Sequence, residues 1–470
     1  MNPSTSDLTA LLAAAQPALI IAFGALALAL LARSLKPTRG SLLAWLGAAL
    51  IACIGYLETV RPLRQPVAGP LLLRDMFSDF FMFLLLTAGG LALFTAVREA
   101  ETPRPPSSQR PALILLALFG PLLMVITAHL PLVLVAAVLL WLAAWWLLRV
   151  QSPPAARLYL MRVAFPACAL LLGLLLLRGS VPSLDLAAIG RALNAPANSL
   201  SLTLGYALLL AGLLAQIAVV PFHVWTSDIW GATPASSRII LTAGSLAAVA
   251  PVARLVIHAP GADALLWFLG SLTVLVGALL ALNETSPHRT VARIATANSG
   301  YLLLGLLGGA PDTAGPSAFY ALTYLLVLSG CAAALASPHN SGAGGVANWS
   351  GLARLRPRTA ALFSFLLLAA AGVPLTGGFV ATANVYLACV GAGYLGASVA
   401  AGVGSLLLLL CVAGAIGRIY GGQPPAPDAE RPPGDEPPLT LVLCVMGILV
   451  LGLWPQSVLL LAEAAGQVLR

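Results

Sequence analysis

Long runs of apolar residues, separated by short polar stretches, recur along almost the whole chain. A helix that crosses the hydrocarbon core of a bilayer needs about 20 apolar residues. Runs of about that length lie at about 15–34, 41–60, 76–97, 111–128, 130–149, 158–178, 199–220, 235–257, 263–283, 293–310, 316–336, 359–376, 384–417 and 438–463. The pattern predicts an all-α polytopic membrane protein with about fourteen transmembrane helices.

The polar stretches between these runs are too short to form a second domain. The longest lie at 98–110, 337–357 and 421–438, and each is rich in Pro, Gly or charge. None of them could bury a hydrophobic core of its own. The sequence therefore predicts a single transmembrane domain over residues 1–470, without a soluble catalytic module.

In two stretches of the chain, the start of an apolar block is followed, at a similar distance, by an interrupted helix. One opens near Pro111 and is broken near Pro221, and the other opens near Asp263 and is broken at 373–378, so the lag is about 110 residues in both. Interrupted helices at matching positions of two halves indicate inverted repeats with sites at the breaks. The alternative is that Pro and Gly are simply frequent in membrane helices. We expect repeat 1 at about 111–257, repeat 2 at about 263–418, and flanking helices within 15–97 and 438–463.

The composition agrees with a chain whose solvent is lipid. Hydrophobic residues make up 60% of the chain and charged residues 9%, and the mean hydropathy is +0.96. Soluble domains carry about 25% charged residues. The excess of Ala, Leu and Arg over Lys indicates a GC-rich bacterial genome, so the expected location is the bacterial inner membrane.

The placement of the basic residues predicts the orientation in that membrane. The chain has one lysine, Lys36, and arginine supplies nearly all of the net charge of +8. Sixteen basic residues, including Arg157 and Arg162, fall in odd-numbered predicted loops, and seven, including Arg254, fall in even-numbered loops or at the C-terminus. Because cytoplasmic loops carry the excess of Lys and Arg, we expect both termini outside. No basic cluster is interleaved with aromatic residues, which excludes a nucleic-acid partner.

Residues that could hold a metal or a redox group are few and scattered. The six cysteines all fall in apolar runs without CxxC or CxxxC spacing, and no two of the five histidines have the spacing of haem or metal ligands. The sequence therefore predicts cysteines that act as small buried hydrophobic residues, and no metal or cofactor.

The most specific motif lies in the middle of the chain. Residues 221–254 read PFHVWTSDIWGATPASSRIILTAGSLAAVAPVAR. This segment resembles the antiporter-like subunits of respiratory complex I, above all those called subunit N in bacteria and subunit 2 in mitochondria. The matching positions are Pro221, Phe222, His223, Trp225, Asp228, Gly231, Ala232, Pro234 and Arg254, with one residue deleted near Gly231. Weaker matches at 298–305 and 351–379 extend the resemblance over about residues 75–420.

The resemblance implies a fold and a mechanism that can be compared with this chain. It implies fourteen helices, two inverted five-helix repeats that each contain a broken helix, and a water-filled polar axis at half-membrane depth. Protons are thought to move along that axis between lysines, a glutamate and histidines. Intramembrane ionisable residues are costly and mark such relays, and a buried lysine releases its proton readily because desolvation disfavours its charged form.

At the positions that match the relay, this chain carries neutral residues. The glutamate of the fifth helix falls on about Leu139, and no Asp or Glu occurs between Glu101 and Asp185. The family's three relay lysines fall on Gln216, on Ser245 or Leu246, and on about Thr382. Its histidine falls on Asn298. Gln, Ser, Asn and Thr can hydrogen-bond but do not titrate near neutral pH.

Two interpretations of this candidate polar axis stay open. Gln216, Ser245, Asn298 and Thr382 either satisfy the backbone groups that a broken membrane helix leaves free or line a file of water that still conducts. His223 is the titratable group that remains at a helix break. It either accepts protons near the axis or is a structural residue that ties the break to a neighbouring carbonyl.

The other polar and aromatic residues are expected to be structural. Asp228 and Arg238 are predicted to form an ion pair across the turn 231–234. Asp75, Asp79 and Glu58 are expected at solvated interfacial positions rather than in a channel. The tryptophans Trp141, Trp145 and Trp146 are expected to face lipid or a partner subunit.

The sequence thus favours a membrane-arm subunit of a complex I-like NADH:quinone oxidoreductase that is mainly structural or coupling. Its expected partners are other membrane-arm subunits and the lipid bilayer, and any enzymatic activity would belong to the whole complex. The first alternative is an active proton channel or cation/proton antiporter subunit of a related assembly, such as a membrane-bound hydrogenase, a multisubunit antiporter or an inorganic-carbon uptake system. The second is an unrelated secondary transporter in which the motif is accidental.

Overall fold

A computed structural model describes residues 5–34, 48–55, 57, 67–68, 71–100, 109–194, 199–259, 261–307, 311–336, 350–421 and 436–469. Lys36 and Glu58 lie outside the described residues, as does part of the predicted run at 41–60.

Helices dominate this part of the chain, which confirms the all-α membrane class. They are α1 (Thr5–Ser34), α2 (48–55), α3 (Met76–Ala100), α4 (Arg110–Val125), α5 (Leu130–Gln151), α6 (Pro153–Arg178), α7 (Leu186–Ala192), α8 (Leu200–Ile217), α9 (Thr226–Ala232), α10 (Ala235–Ala247), α11 (Val249–Val256), α12 (Ala262–Leu282), α13 (Pro287–Leu304), α14 (Pro311–Ala334), α15 (Leu352–Leu355), α16 (Pro357–Ala370), α17 (Gly377–Gly391), α18 (Leu395–Gly421), α19 (Leu439–Leu453) and α20 (Gln456–Gln467). The exception is a short antiparallel hairpin of β1 (Val67–Ala68) and β2 (Leu73–Arg74), in which Val67 pairs with Arg74.

Nine helices of the described part are long and apolar enough to cross a membrane, or ten if the bent pair α19 and α20 is one span. Shorter apolar helices, namely α4, α16 and α17, occupy other predicted runs. The chain is therefore a multi-pass membrane protein.

Two predicted runs are each divided into two helices. The run at 438–463 becomes α19 and α20, which are bent by 84° at Trp454 and Pro455. Proline supplies no N–H for the helical hydrogen bond, so the helix ends there. The run at 384–417 is interrupted near Gly393, whose φ of 82° ends α17 before α18 begins.

The core of the bundle lies around α10, α11 and α14. The apolar windows of the spans Ala235–Val256 and Ala314–Ala334 are wholly buried, whereas those of α1 and α18 are buried over 33% of their residues. Helix α10 packs against α3 and α14, α6 packs against α8, and α12 packs against both α13 and α18. A Cβ added to Gly277 of α12 would lie 2.4 Å from the backbone nitrogen of Ala297 in α13. A small residue therefore allows these two helices to approach closely.

Candidate polar axis

The first helix break lies where the sequence predicts it, between α8 and α9. Helix α8 ends at Ile217, and Ala218 follows with φ of 67°. The N–H of Ala218 bonds to the carbonyl of Ala215, and the N–H of Val219 bonds to that of Leu214 at 3.2 Å. This left-handed cap turns the chain out of the helix. It also leaves carbonyls of the last turn to be satisfied by other parts of the protein.

The side chain of Gln216 joins three helices at this break. It is buried, and its Oε1 accepts a hydrogen bond of 2.9 Å from Trp141 Nε1 in α5. Its Nε2 donates to the carbonyl of Gly244 in α10 at 3.4 Å. The expectation that Trp141 faces lipid or a partner is therefore wrong, because its indole N–H points to a buried amide. Trp146, which is 44% exposed, does lie on the outer surface of the protein.

The guanidinium of Arg162 is also at this break. Arg162 is 6% exposed, and its Nη2 donates to the backbone carbonyl of Gln216 at 3.1 Å. The guanidinium carbon lies 3.5 Å from the ring centroid of Trp225 and 5.3 Å from that of Tyr159. The first break thus holds a buried cation that rests on an aromatic face.

The assignment of Arg162 to a cytoplasmic loop is wrong. It is the tenth residue of α6, so about 14 Å of helix separates it from Pro153. A sequence signal was available, because Arg162 lies inside the apolar run at 158–178. Arg254, assigned to another loop, is likewise buried, in α11.

His223 lies in the turn between the two helices and is buried. Its backbone carbonyl accepts hydrogen bonds from Thr226, from the amide at 3.0 Å and from Oγ1 at 2.8 Å. Its ring Nδ1 is buried and has no hydrogen-bond partner among the described residues. In this structure the backbone of His223, not that ring nitrogen, ties the turn to α9.

Ser245 lies beside a small cavity next to the first break. Its Oγ donates back to the carbonyl of Leu241 at 3.1 Å. Trp225, Thr226, Thr296 and Ser299 also line this cavity. The volume that water centres can occupy is about 20 Å³, which is room for about one water.

The second helix break lies between α16 and α17, as the sequence predicts for 373–378. Gly372 and Leu375 both adopt positive φ, 75° and 70°. The Oγ1 of Thr376 caps α17 by accepting from the amide of Phe379 at 3.3 Å. A Cβ added to Gly378 would lie 1.8 Å from the carbonyl oxygen of Ala369. The break therefore requires glycine at position 378.

Among the described residues, the side-chain hydrogen bonds at this second break come from hydroxyl and amide groups. The hydroxyl of Tyr320 donates to Asn298 Oδ1 at 2.5 Å, and Thr382 Oγ1 donates to the carbonyl of Gly378 at 2.8 Å. Asn298, Tyr320 and Gly378 line a second cavity, in which water centres can occupy only about 10 Å³.

A further hydroxyl group cluster continues from Tyr320 towards α18. The rings of Tyr301 and Tyr320 stack with centroids 5.4 Å apart. The hydroxyls of Tyr301 and Tyr386 each lie 2.7 Å from Ser405 Oγ.

The two cavities are neighbours but separate. Tyr324 and Leu328 line both of them, so these side chains form the wall between the Ser245 cavity and the Asn298 cavity. The structure thus arranges four predicted residues, Gln216, Ser245, Asn298 and Thr382, along two breaks and two small cavities. These groups can hydrogen-bond, but none of the four can hold an exchangeable charge.

Asp228 and Arg238 do not pair with each other. The carboxylate of Asp228, 54% exposed, lies 3.6 Å from Arg289 Nη2 in α13. Arg238 is buried one turn inside α10, with its guanidinium carbon 6.0 Å from the ring centroid of Trp230. The predicted pair fails because one partner faces the solvent-exposed end of α9 while the other points into the bundle.

Asp75 is not solvated, contrary to the expectation. It is 1% exposed, and its carboxylate lies 3.2 Å from Arg254 Nη2. The same guanidinium donates to Ser78 Oγ at 2.7 Å and to the carbonyls of Val125 and Thr127 at 2.7 and 3.0 Å. Asp79 pairs with Arg74 at 2.7 Å beside it. We name these five side chains, Arg74, Asp75, Ser78, Asp79 and Arg254, the paired cluster. It joins α3, the end of α4 and α11.

A second charged contact lies at the opposite end of α3. The carboxylate of Glu99 accepts from the amide of Ser236 at 3.2 Å and from its Oγ at 2.8 Å, and it also pairs with Arg110. Ser236 is in the first turn of α10, where a carboxylate is favourable. Glu99 therefore fixes α3 and α4 to the start of α10.

His258 follows α11 and lies outside the spans. Burial, and then the neighbouring Arg191, lower its pKa. Its imidazole is therefore harder to protonate than that of a free histidine.

The chain matches a described family over most of its length. Residues 123–408 match the family described as NADH:quinone oxidoreductase/Mrp antiporter, TM. Among curated proteins, NADH-quinone oxidoreductase subunit N 3 of Streptomyces griseus is 33% identical over an alignment of 347 positions, which covers 68% of this chain and 62% of that protein. The chain thus spans less than two thirds of the length of that relative. NADH-quinone oxidoreductase subunit N 1 of Rhizobium meliloti is 27% identical over an alignment of 467 positions, which covers 96% of each of the two chains.

The fold is also similar to a chain of a solved respiratory complex. A chain of respiratory complex I from Thermus thermophilus, solved with bound aureothin, superposes with a TM-score of 0.80 at 29% identity. The superposition covers 95% of this chain and 99% of that chain.

Proposed function

Because the chain belongs to the NADH:quinone oxidoreductase/Mrp antiporter membrane family, we propose that it is a membrane-arm subunit of a complex I-like NADH:quinone oxidoreductase, of the subunit N kind. Its role is mainly structural or coupling, and its own proton path lacks the groups that exchange protons. Other membrane-arm subunits are its partners, and NADH oxidation belongs to the whole complex.

The finer topology belongs to the same proposal. It comprises fourteen transmembrane helices, with inverted five-helix repeats at about 111–257 and 263–418 and flanking helices within 15–97 and 438–463. The two breaks support the repeat, since each follows the opening of its half by a similar length of chain. The bacterial inner membrane, with both termini outside, is the proposed location and orientation.

The observation that carries the structural role is the chemistry of the two breaks. Gln216, Ser245, Asn298 and Thr382 are buried at the predicted positions, and all four are neutral. Their hydrogen bonds run to backbone carbonyls, an indole or a phenol. Such contacts satisfy a broken helix but supply no site from which a proton can be taken and returned.

Flux through the purified chain tests this proposal. The protein is reconstituted in liposomes, and proton and sodium fluxes are followed after a potential and a pH gradient are imposed. We expect fluxes equal to those of protein-free liposomes. A saturable flux that His223→Ala abolishes would contradict the structural role, with Asn194→Ala, a change near the surface at the end of α7, as the matched control.

The partners are tested separately. Mild solubilisation of the native host membrane, affinity capture of the tagged chain and mass spectrometry should recover subunits of an iron–sulfur and flavin arm. Recovery of cation-antiporter or carbonate-binding subunits instead would place the chain in another assembly.

A second candidate is an active proton channel or cation/proton antiporter subunit of a related complex. The cavity beside Ser245 favours it, since Thr226, Thr296 and Ser299 are among the residues that line that cavity. In that case the flux would follow water through the Ser245 cavity, and Ser245→Leu would stop it. Family membership excludes the unrelated secondary transporter.

A further inference from the structure

We propose that Arg162 is a fixed cation at the first break and that it closes this break to protons and metal cations. The inference rests on the proposed function, because it explains why a scaffold with a polar axis does not conduct protons or metal cations. It assigns a specificity-determining role to a residue that the sequence placed in a loop.

The guanidinium is held in place by two aromatic rings and by a hydrogen bond along one edge. Trp225 covers one face at 3.5 Å from its ring centroid, and the ring centroid of Tyr159 lies 5.3 Å away. Along the edge, Nη2 donates to the carbonyl of Gln216 at 3.1 Å. That carbonyl belongs to the last turn of α8, where the helix dipole is negative and a cation is favoured.

The charge of Arg162 is not neutralised by an acid. In the described part of the chain no carboxylate lies within ion-pair distance of it, and its Nε and Nη1 are buried without a hydrogen-bond acceptor. Arg254 is the opposite case, since it is buried to a similar degree but bound to Asp75. The field of Arg162 therefore acts on its surroundings in a medium of low dielectric.

The position of this charge makes it a barrier. Trp225 contacts the guanidinium and also lines the Ser245 cavity, so one aromatic ring separates the fixed cation from the space beside the break. A hydronium or a sodium ion in that cavity would be repelled, in the same way that an arginine excludes cations from other narrow pores. Arginine cannot give up its proton in a protein, so it cannot act as a relay station either.

The competing explanation is that Arg162 is only a cap for α8. Both roles predict that loss of the side chain weakens the fold, so stability alone does not distinguish them. Only the barrier predicts that neutralising the charge changes permeability. The change Gln216→Glu is the cleaner variant, because it places a carboxylate at the same break while the guanidinium and its backbone contact remain.

Proton and sodium fluxes in proteoliposomes, driven by an imposed potassium diffusion potential, test the inference. We expect Arg162→Gln and Gln216→Glu to raise the proton flux about tenfold or more, as expected for a barrier lowered by about 1.4 kcal/mol. Arg157→Gln removes a charge from an exposed position of the same helix and is the matched control, with no change expected.

The outcomes separate the two proposals. Flux through the unsubstituted protein above that of empty liposomes would contradict the proposed structural function. The second case is that the unsubstituted protein shows no such flux, and that Gln216→Glu elutes as a single folded species and shows no flux either. The barrier role of Arg162 is then wrong, while the structural function stands. A parallel increase in Arg157→Gln would also overturn it, since the effect would not depend on the axis.

Discussion

The two helix breaks both contain a residue with positive φ, but different side-chain groups satisfy their backbones. At the first, the end of α8 is capped by the guanidinium of Arg162, and the amide of Gln216 joins Trp141 to Gly244. At the second, between α16 and α17, the contacts come from Thr376, Thr382 and Tyr320, with a glycine where the chain passes Ala369. One break is stabilised by a buried charge, the other by hydroxyls and close backbone packing.

This difference shows that a broken membrane helix can be satisfied in more than one way. What both breaks need is a donor for the last carbonyls of one helix and an acceptor for the first amides of the next. Neither requirement calls for a group that exchanges protons. The scaffold therefore does not depend on proton-exchanging groups for the stability of its two breaks.

The largest expected effect on stability is at the second break. Gly378→Ala would place a methyl group 1.8 Å from the carbonyl oxygen of Ala369. Because backbone must move to admit it, we expect a loss of about 3 kcal/mol or more, measured by SDS titration in mixed micelles. Gly391→Ala, where an added Cβ meets nothing within 4 Å, is the control and should be nearly neutral. Equal stability of both variants would show that the second break is not held by close packing.

A smaller loss is expected from the amide at the first break. Gln216→Leu leaves the indole N–H of Trp141 buried without an acceptor, which should cost about 1–3 kcal/mol in the same titration. Gln456→Leu, at the start of α20 and exposed, is the matched control. If Gln216→Leu is as stable as the parent, the first break does not depend on its buried polar bridge.

The hydroxyl contact at the second break should contribute less. Tyr320→Phe removes the hydrogen bond to Asn298 Oδ1 but keeps the ring stacked on Tyr301, so we expect a loss of about 1 kcal/mol. Tyr420→Phe, with a side chain 47% exposed, should change nothing measurable. A loss as large as that of Gly378→Ala would mean that the hydroxyl network, not the backbone, holds the second break.

The smallest effect has the opposite sign. Ala218 occupies the left-handed region with φ of 67°, which costs an L-residue about 1 kcal/mol. Ala218→Gly relieves that strain but adds entropy to the unfolded chain, so we expect a gain of only about 0.5 kcal/mol. A clear destabilisation would show that the methyl group of Ala218 packs at the first break more strongly than its φ strains it.

The positions of the helices and breaks could be predicted from the sequence because their signals are local. The apolar runs locate the spans, and the Pro and Gly of 221 and 373–378 locate the interruptions. Pro455 also indicates that a helix ends within 438–463. This run is nevertheless long and apolar enough to be taken for a single span.

The directions in which side chains point could not be predicted in the same way. Asp75 and Arg254 are 179 residues apart, so their contact depends on how α3 and α11 meet. Trp141 and Arg162 point inward because of the rotation of α5 and α6 about their axes, which their packing against other helices determines. A count of charges by loop therefore misplaced Arg162, although its position within an apolar run hinted that it was buried.

The proposed structural role is decided by the proton conductance of the purified, unsubstituted protein in liposomes, recorded beside protein-free vesicles. We expect the two conductances to be equal across the pH range from about 6 to 8, where an unperturbed histidine changes charge. A conductance that saturates with the proton gradient and disappears in His223→Ala would contradict it, because the first break would then contain a working proton site.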